Sequence, residues 1–410
     1  WWYYFPVALA VKTPLPTLIL AALGVWPLVR QQAWRRTVVV WGPLLLYLAL
    51  AMSGRITIGY RHILPVVPFL ILLAGYATQL PVAQKRLAQA GLAVLLGWQA
   101  IAMLWLFPHQ EAFFNELVGG PGRGGAVLSD SNLDWGQDLP ALKQLLAERG
   151  IDEQEVYLAY FGTAVPEAYG LRYKPLPGFI RFTAGAEVDA FNPYTPPPGW
   201  YAISESSLRL GLMMQNNDLY AFFAAQEPVA RAGYSINLYE VRYPAEWPVR
   251  RTAVSGTAVS DLSPEALGME PQSRTIVKWT ASDRAQIFPA GSFVPPDEMV
   301  RVGDGHTAVF GDGAFGLHGY SLRQNGSELV LTLYWQVGNT AVETPKPTSG
   351  APLAAFVHLS DEADPSRIVA QYDGWETALT GLEAGDMIAH TVALMPPSDA
   401  PPGEYMVRVG

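Results

Sequence analysis

Arg61-His-Ile-Leu-Pro-Val-Val-Pro-Phe-Leu-Ile-Leu-Leu-Ala-Gly-Tyr-Ala-Thr-Gln-Leu80 is the stretch on which the reading of the fold turns. Beyond its first two residues it holds no charge. At about 1.5 Å per helical residue its 18 uncharged positions reach about 27 Å, close to a hydrocarbon core of about 30 Å. Comparable runs lie on either side at Pro14–Val29, Thr37–Met52 and Ala88–Phe107. A helix packed on a soluble core shows a charged face, and these runs show none. Thr13 followed by Pro14 has the form of an N-cap and first-turn proline, which starts the first run there.

The charge pattern points the same way. From Trp1 to Gln110 there is no Asp or Glu, but there are eight basic residues: Lys12, Arg30, Arg35, Arg36, Arg55, Arg61, Lys85 and Arg86. The 27 basic residues of the chain less these eight leave 19 against 36 acidic ones, so the part after Gln110 carries −17. The overall −9 of the 410 residues hides a basic apolar part and an acidic polar one. Nucleic acid is excluded as a partner of so acidic a region. The absence of cysteine rules out disulfide frameworks, zinc–thiolate sites and thiol nucleophiles.

Four apolar runs predict a four-span α-helical transmembrane bundle over residues 1–107. Arg30, Arg35 and Arg36 in one loop and Lys85 with Arg86 in another place those loops in the cytoplasm. Everything after Phe107 is then extracytoplasmic, and the aromatic cluster Trp1–Phe5 suits the outer boundary. Trp1 at the start and a strand-like run at Gly410 are the marks expected of an internal fragment.

Next comes a glycine-rich hinge, 108–125. Its Gly120–Gly125 matches G-x-G-x-x-G formally but precedes a strand-like run instead of following one, so it is no dinucleotide fingerprint. Strands at Ala126–Ser131, Val156–Phe161, Trp200–Ser204 and Ser235–Val241 are expected next. With helices at Leu139–Arg149, Asn217–Ala225 and a short one at Val165–Leu171, they predict an α/β domain over 126–245. Residues 246–306 read as a linker with extended segments. From about Thr307 the chain turns all-β. Leu329, Leu331, Leu333, Trp335 and Val337 alternate with Val330, Thr332, Tyr334 and Gln336, and Asn325-Gly326 marks a hairpin. Further strands at Ala354–Leu359, Ile368–Tyr372, Met387–Leu394 and Glu404–Val409 predict a β-sandwich over 307–410, lacking its final edge.

Two clusters carry candidate chemistry. Lys12, Arg55, Arg61 and His62 sit at the expected outer mouth of the bundle, against the positive-inside trend, and arginine holds phosphate through paired hydrogen bonds. Asp130-Ser-Asn-Leu-Asp-Trp-Gly-Gln-Asp138 opens like a calcium loop at Asp130, Asn132 and Asp134. Its glycine falls one place late, and Ala141 stands where a bidentate glutamate belongs. An EF-hand is excluded, while a looser divalent-cation or sugar site is compatible. Asp138 reads as a helix-capping carboxylate. No G-x-S-x-G, Walker loop or H-E-x-x-H is present.

Several of these segments together resemble a known family. They are Trp2-Tyr-Tyr-Phe-Pro6, Lys12-Thr-Pro-Leu-Pro16, Arg61-His-Ile-Leu-Pro-Val-Val-Pro68, Phe114-Asn-Glu-Leu-Val-Gly-Gly-Pro121 and Asp130–Leu139. The chain resembles protein O-mannosyltransferase-like, phospholipid-carrier-dependent glycosyltransferases of GT-C type over about residues 1–245. The resemblance implies the C-terminal portion of a multi-pass cell-membrane enzyme. Such an enzyme moves a sugar from a polyprenyl-phosphate carrier to a protein, lipid or glycan acceptor on the outer face. It also implies a catalytic aspartate in a first outer loop. No acidic residue precedes Glu111 here, so no catalytic residue is assigned in this chain, which is expected to be inactive alone. Lys12, Arg55, Arg61 and His62 fit the donor phosphate; Asp130, Asn132, Asp134 and Gln137 are candidates for the acceptor. The second reading is a membrane-anchored glycan- or partner-binding protein without catalysis; in the β-sandwich, aromatics such as Trp375 are expected to serve packing first and carbohydrate contact second.

Overall fold

The computed structural model describes residues 1–30, 33–55, 57–82, 85–178, 186–211, 219–302, 308–311, 313–339, 355–400 and 404–410. Residues 217–218, 307 and 354, at the edges of an expected helix, domain and strand, lie outside them. The chain divides into two compact units. One comprises Trp1–Phe182 with Gly199–Val241, and the other Thr183–Pro198 with Arg242–Gly410.

The four-span bundle is not what forms. Among the described residues two helices are long and apolar enough to cross a membrane, Tyr60–Gln79 and Arg86–Leu106; a third span is reached only if Tyr4–Lys12 and Leu15–Arg30 count as one, and these meet at 111°. The break falls at Thr13-Pro14. Leu15–Arg30 and Val38–Ser53 have 16 residues each, about 24 Å of helix against a core of about 30 Å. Hydropathy over a window counts the apolar residues of the loops as well, which is why four spans are expected and fewer are found. Most of the chain is instead mixed α/β and β structure, with several sheets.

In the first unit, Phe5, Ala8 and Val11 on Tyr4–Lys12 pack with Ile63, Val66, Leu70 and Leu73 on Tyr60–Gln79. Gly24 lets Leu15–Arg30 approach closely, because a Cβ there would stand 2.0 Å from the Leu73 carbonyl oxygen. The same core takes in Ala112, Phe114, Leu128 and Leu133. Apolar helices and the following segment are therefore continuous. The expected hinge is packed: Pro121–Gly124 is a helical turn, and a Cβ at Gly124 would sit 2.1 Å from the Phe114 ring. Glycine is used here for close approach, not flexibility.

A mixed five-stranded sheet follows, in the order Tyr173–Pro175, Val156–Ala159, Gly199–Ser204, Ile236–Val241 and Ala230–Ala232. The first three strands run parallel and the last two pair antiparallel. Leu139, Leu142 and Leu146 recur at helical spacing on Leu139–Glu148 and bury against Val156, Leu158, Ala202 and Leu238. The strand expected at Ala126–Ser131 is absent. That segment turns through a 3-10 helix at Asp130–Asn132, where the Asp130 N–H donates to Ser206 Oγ just past the carboxyl end of the central strand Gly199–Ser204.

The second unit is all-β apart from short helical turns. Val249–Ser255 pairs in parallel with Arg274–Thr280, so the stretch read as a linker carries ordered strands. An antiparallel sheet runs Ala308–Phe310, Phe315–Asn325, Glu328–Val337, Met387–Leu394 and Ala285–Phe288, with Val300–Arg301 added on Phe315–Asn325. A second sheet joins Ile368–Gly374, Ala355–Asp361 and Tyr405–Val409. Leu331, Leu333, Trp335 and Val337 from one share a core with Val357 and Leu359 from the other. The hairpin closes between Asn325 and Glu328, with Gly326 at φ +62° in the left-handed region. Trp375 packs into this core against Phe315 and Trp335, with ring centroids 5.1 and 6.1 Å away, and is no exposed carbohydrate platform. Glu187 and Asn192, from the earlier segment of this unit, bond to Thr380 and Thr275.

Candidate functional site

The turn from Ser129 to Asp138 is where the helical and sheet parts of the first unit meet. Asn132 is buried and all of its side-chain capacity is used. Its oxygen accepts the Tyr60 N–H at 2.8 Å, and its amide donates to the Tyr4 hydroxyl at 3.0 Å and the Ser129 carbonyl at 2.9 Å. The Lys12 ammonium donates to the main-chain carbonyls of Asn132 and Glu111, and it lies over the Phe114 ring at 4.5 Å. Ser131 Oγ donates to the Ile58 carbonyl at 2.7 Å, a contact that leaves no space for a side chain at Gly59, where φ is +121°. Three helix ends are thus pinned to one short turn.

This arrangement divides the four expected phosphate ligands. Lys12 is half-buried and directs its charge at two carbonyls. Arg61 is exposed, with its guanidinium over the Trp135 ring at 4.9 Å and the Asp130 carboxylate close enough to interact. His62 Nε2 is buried and has no hydrogen-bond partner among the described residues. Arg55 is exposed on the turn after Val38–Ser53, and no described contact brings it to the others. Lys12 and Arg61 therefore converge on the 130–135 turn, and Arg55 does not join them.

The acceptor candidates divide as well. Gln137 is spent locally: its oxygen accepts the Trp135 N–H at 2.7 Å, and its amide donates to the Leu133 carbonyl at 2.9 Å. Asp134 is fully buried. Its Oδ1 accepts the Gly136 N–H at 3.0 Å. Oδ2 has no hydrogen-bond partner of good geometry among the described residues; the nearby Ser204 and Ser235 hydroxyls donate to Ser207 and Asp138. Burial pushes the Asp134 carboxyl up to about 7, against the lowering pull of the Gly136 N–H and the serines, and the Asp138 charge adds to the rise. Asp130 stays half-exposed at φ +64°, a backbone region that aspartate tolerates better than most residues. Burial raises its pKa too, opposed by the Ser131 N–H and by Arg61.

Asp138 is not the helix cap expected of it. It stands at the start of Leu139–Glu148, but its side chain makes no capping bond. Its Oδ2 accepts the N–H groups of Tyr234 and Ser235 at 3.0 Å each and the Ser235 hydroxyl at 2.8 Å. Its Oδ1 is 2.7 Å from His109 Nδ1, and Tyr234 packs edge-on to that imidazole at 5.6 Å. His109, Tyr4 and Tyr60 are absent from the sequence-based site. Tyr4 lies in the quoted segment Trp2–Pro6 but carries no assigned role there, Tyr60 and His109 lie in none, and the partner of His109 is 29 residues away. The signal available was position: His109 stands between the last apolar run and Glu111, the first acidic residue of the chain. Burial raises the pKa of Glu111, opposed by the Lys12 charge.

Among the described residues no three His, Asp or Glu side chains gather as metal ligands. The turn offers a cation on an aromatic face and a buried carboxyl, and Asp138 at its end holds the His109 imidazole from outside it. No family model matches the chain, and neither a curated protein nor a solved structure matches it.

Proposed function

We propose that the chain is part of a membrane glycosyltransferase that takes its sugar from a polyprenyl-phosphate carrier on the outer face, with the first unit holding the carrier's phosphate. One observation supports this reading above the others. Arg61 stands at the start of the apolar helix Tyr60–Gln79 with its guanidinium laid over Trp135. An arginine kept over an aromatic ring by a cation–π contact still has N–H groups to offer the paired oxygens of a phosphate. A polyprenyl chain would then run along an apolar helix that is long enough to cross the membrane. Lys12 adds positive potential from its fixed place on the same turn, which favours a leaving group that departs as an anion. On this reading the chain sits in the cell membrane, the β-rich unit is an extracytoplasmic accessory, and the acceptor is a protein, lipid or glycan.

The test is carrier binding by the protein in lipid nanodiscs, with polyprenyl phosphate as the probe, comparing wild type with Arg61→Ala and Arg61→Lys. The expected result is binding at least tenfold weaker for Arg61→Ala and partial recovery for Arg61→Lys. Equal affinity in all three would overturn the assignment. Tight binding of the carrier by a full-length protein that transfers no sugar would favour the non-catalytic binding protein instead.

A further inference from the structure

Ile19, Ala22, Leu23 and Trp26 recur at helical spacing on Leu15–Arg30, and Arg30 ends the same stripe one turn beyond Trp26. The other face of this helix carries the buried Ala21, Gly24 and Leu28, with Gly24 against the Leu73 carbonyl. Packing within the first unit therefore leaves the stripe uncovered, and Trp26 is 44% exposed. Together with the segment 80–82, which follows Tyr60–Gln79, the stripe lines an open groove of about 710 Å³ whose side chains are all apolar.

One end of the groove is cationic. The Arg30 guanidinium lies over the Trp26 ring at 4.9 Å. The Lys85 N–H donates to the Val82 carbonyl at 2.9 Å, so the turn leaving the second wall ends on another exposed cation. Arg86–Leu106 then runs back beside Leu15–Arg30, and the Thr17 hydroxyl donates to Gln99 Oε1 at 2.7 Å. Arg30 and Arg86 stand equally far along the two helices from that bond, about 20 Å at about 1.5 Å per residue, which sets them at one level. No Asp or Glu precedes Glu111 to neutralise them. Arg61 stands at the opposite end of Tyr60–Gln79, a helix length of about 30 Å from the segment 80–82.

We propose that this groove seats one acyl chain of an anionic phospholipid whose phosphate is taken by Arg30, with Lys85 and Arg86 adding positive potential at the same end. The proposal rests on the membrane reading above and not on the sugar chemistry. Walls without a hydrogen-bonding side chain suit a hydrocarbon chain, and a cluster of cations without carboxylates favours a lipid that carries net negative charge. Tryptophan beside arginine is also the pairing expected at the headgroup level of a bilayer. Two walls and a fixed charge at one end distinguish the seat from loose contact with bulk lipid.

The test is native mass spectrometry of the full-length protein released from nanodiscs made of equal parts phosphatidylcholine and phosphatidylglycerol. The wild type is expected to retain phosphatidylglycerol at least fivefold more than phosphatidylcholine. Arg30→Gln should bring the two lipids to parity, and Arg30→Lys should keep most of the preference. Ala22→Phe narrows the groove with every cation in place and should lower phosphatidylglycerol retention at least threefold. Arg61→Ala should retain as much as wild type; a loss there would put the lipid at the carrier site and overturn the proposal. Equal retention of both lipids by the wild type, or wild-type phosphatidylglycerol retention in Arg30→Gln or Ala22→Phe, overturns it while the membrane reading stands. A wild type that does not enter nanodiscs removes the membrane reading and this seat together.

Discussion

The Tyr60 N–H donates to the side-chain oxygen of Asn132 at 2.8 Å, joining the first residue of an apolar helix to a turn 72 residues later. That bond explains why the apolar helices and the sheet fall in one compact unit. Sequence composition changes sharply at Gln110, but the contacts do not. The Asn132 side chain supplies two of the hydrogen bonds across the change and Lys12 two more.

Asn132→Ala leaves the half-buried Tyr60 N–H without its acceptor, while the Tyr4 hydroxyl loses the Asn132 amide and keeps the Gly59 N–H. An orphaned buried polar group costs about 1–3 kcal/mol, so the first unit should lose an amount of that order. Chemical denaturation followed by the fluorescence of Trp135 checks it. An unchanged midpoint would show the turn to be a bystander.

Gly233→Ala tests the Asp138–His109 pair without altering a charge. The new methyl meets the Asp138 carboxylate and demands a left-handed backbone that alanine disfavours. The expected outcome is a displaced His109, seen as a changed imidazole 15N shift pattern. A spectrum identical to wild type would show that the pocket has slack.

Asp134 gives a pH signature. Its folded-state pKa of about 7 lies above the ordinary 3.8, so the folded protein holds this proton more tightly than the unfolded chain. Stability should therefore fall as pH rises from about 4 to about 7 and level off above that. Asp134→Asn removes the charge but keeps an oxygen for the Gly136 N–H. The variant should match wild type near pH 4 and unfold at higher temperature than wild type at pH 8. Parallel stability curves for the two proteins would mean that the carboxyl is not penalised by burial.

In the β-rich unit, Lys278 and Asp386 are 2% and 1% exposed and form an ion pair, with Asp386 also accepting the N–H groups of Ala290 and Glu383. Glu383, held by Arg251 and to a lesser degree by Lys278, has its pKa lowered to about 2. Asp386→Ala leaves the buried Lys278 ammonium with only Glu383 and the Gly381 carbonyl, strips the Ala290 and Glu383 N–H groups of their acceptor, and should cost about 3–5 kcal/mol. Replacing both partners, Lys278→Met with Asp386→Leu, should recover most of that. A double variant as unstable as the single one would place the cost in the lost N–H partners.

Some of this was legible from the residues. The alternation from Leu329 to Val337 is the period-two pattern of a strand with one buried face, and the spacing of Leu139, Leu142 and Leu146 is that of a helix with one buried stripe. Helix length was not legible, since Thr13-Pro14 bends the chain by 111° inside a run that hydropathy treats as continuous. Glycine-rich 119–125 reads as a hinge because composition cannot reveal that Phe114 lies against Gly124. The polar turn 130–138 stood out, but not which of its side chains face inward. Asn132, Asp134 and Gln137 resemble ligands in sequence and serve as internal fastenings, while the partly exposed His109 sits outside the turn.

The segment Thr183–Pro198 leaves the first unit's run of chain, belongs to the second, and is followed by Gly199–Val241 back in the first. Within the second unit, Glu187 accepts the Thr380 N–H at 3.2 Å, Asn192 donates to the Thr275 carbonyl at 3.3 Å and the Tyr194 hydroxyl to that of Leu262 at 2.7 Å. A gene cut at residue 242 would express a polypeptide missing those donors and that carboxylate. Excision by simple truncation should give an aggregation-prone product, whereas grafting the sixteen excised residues back through a short artificial tether should restore it.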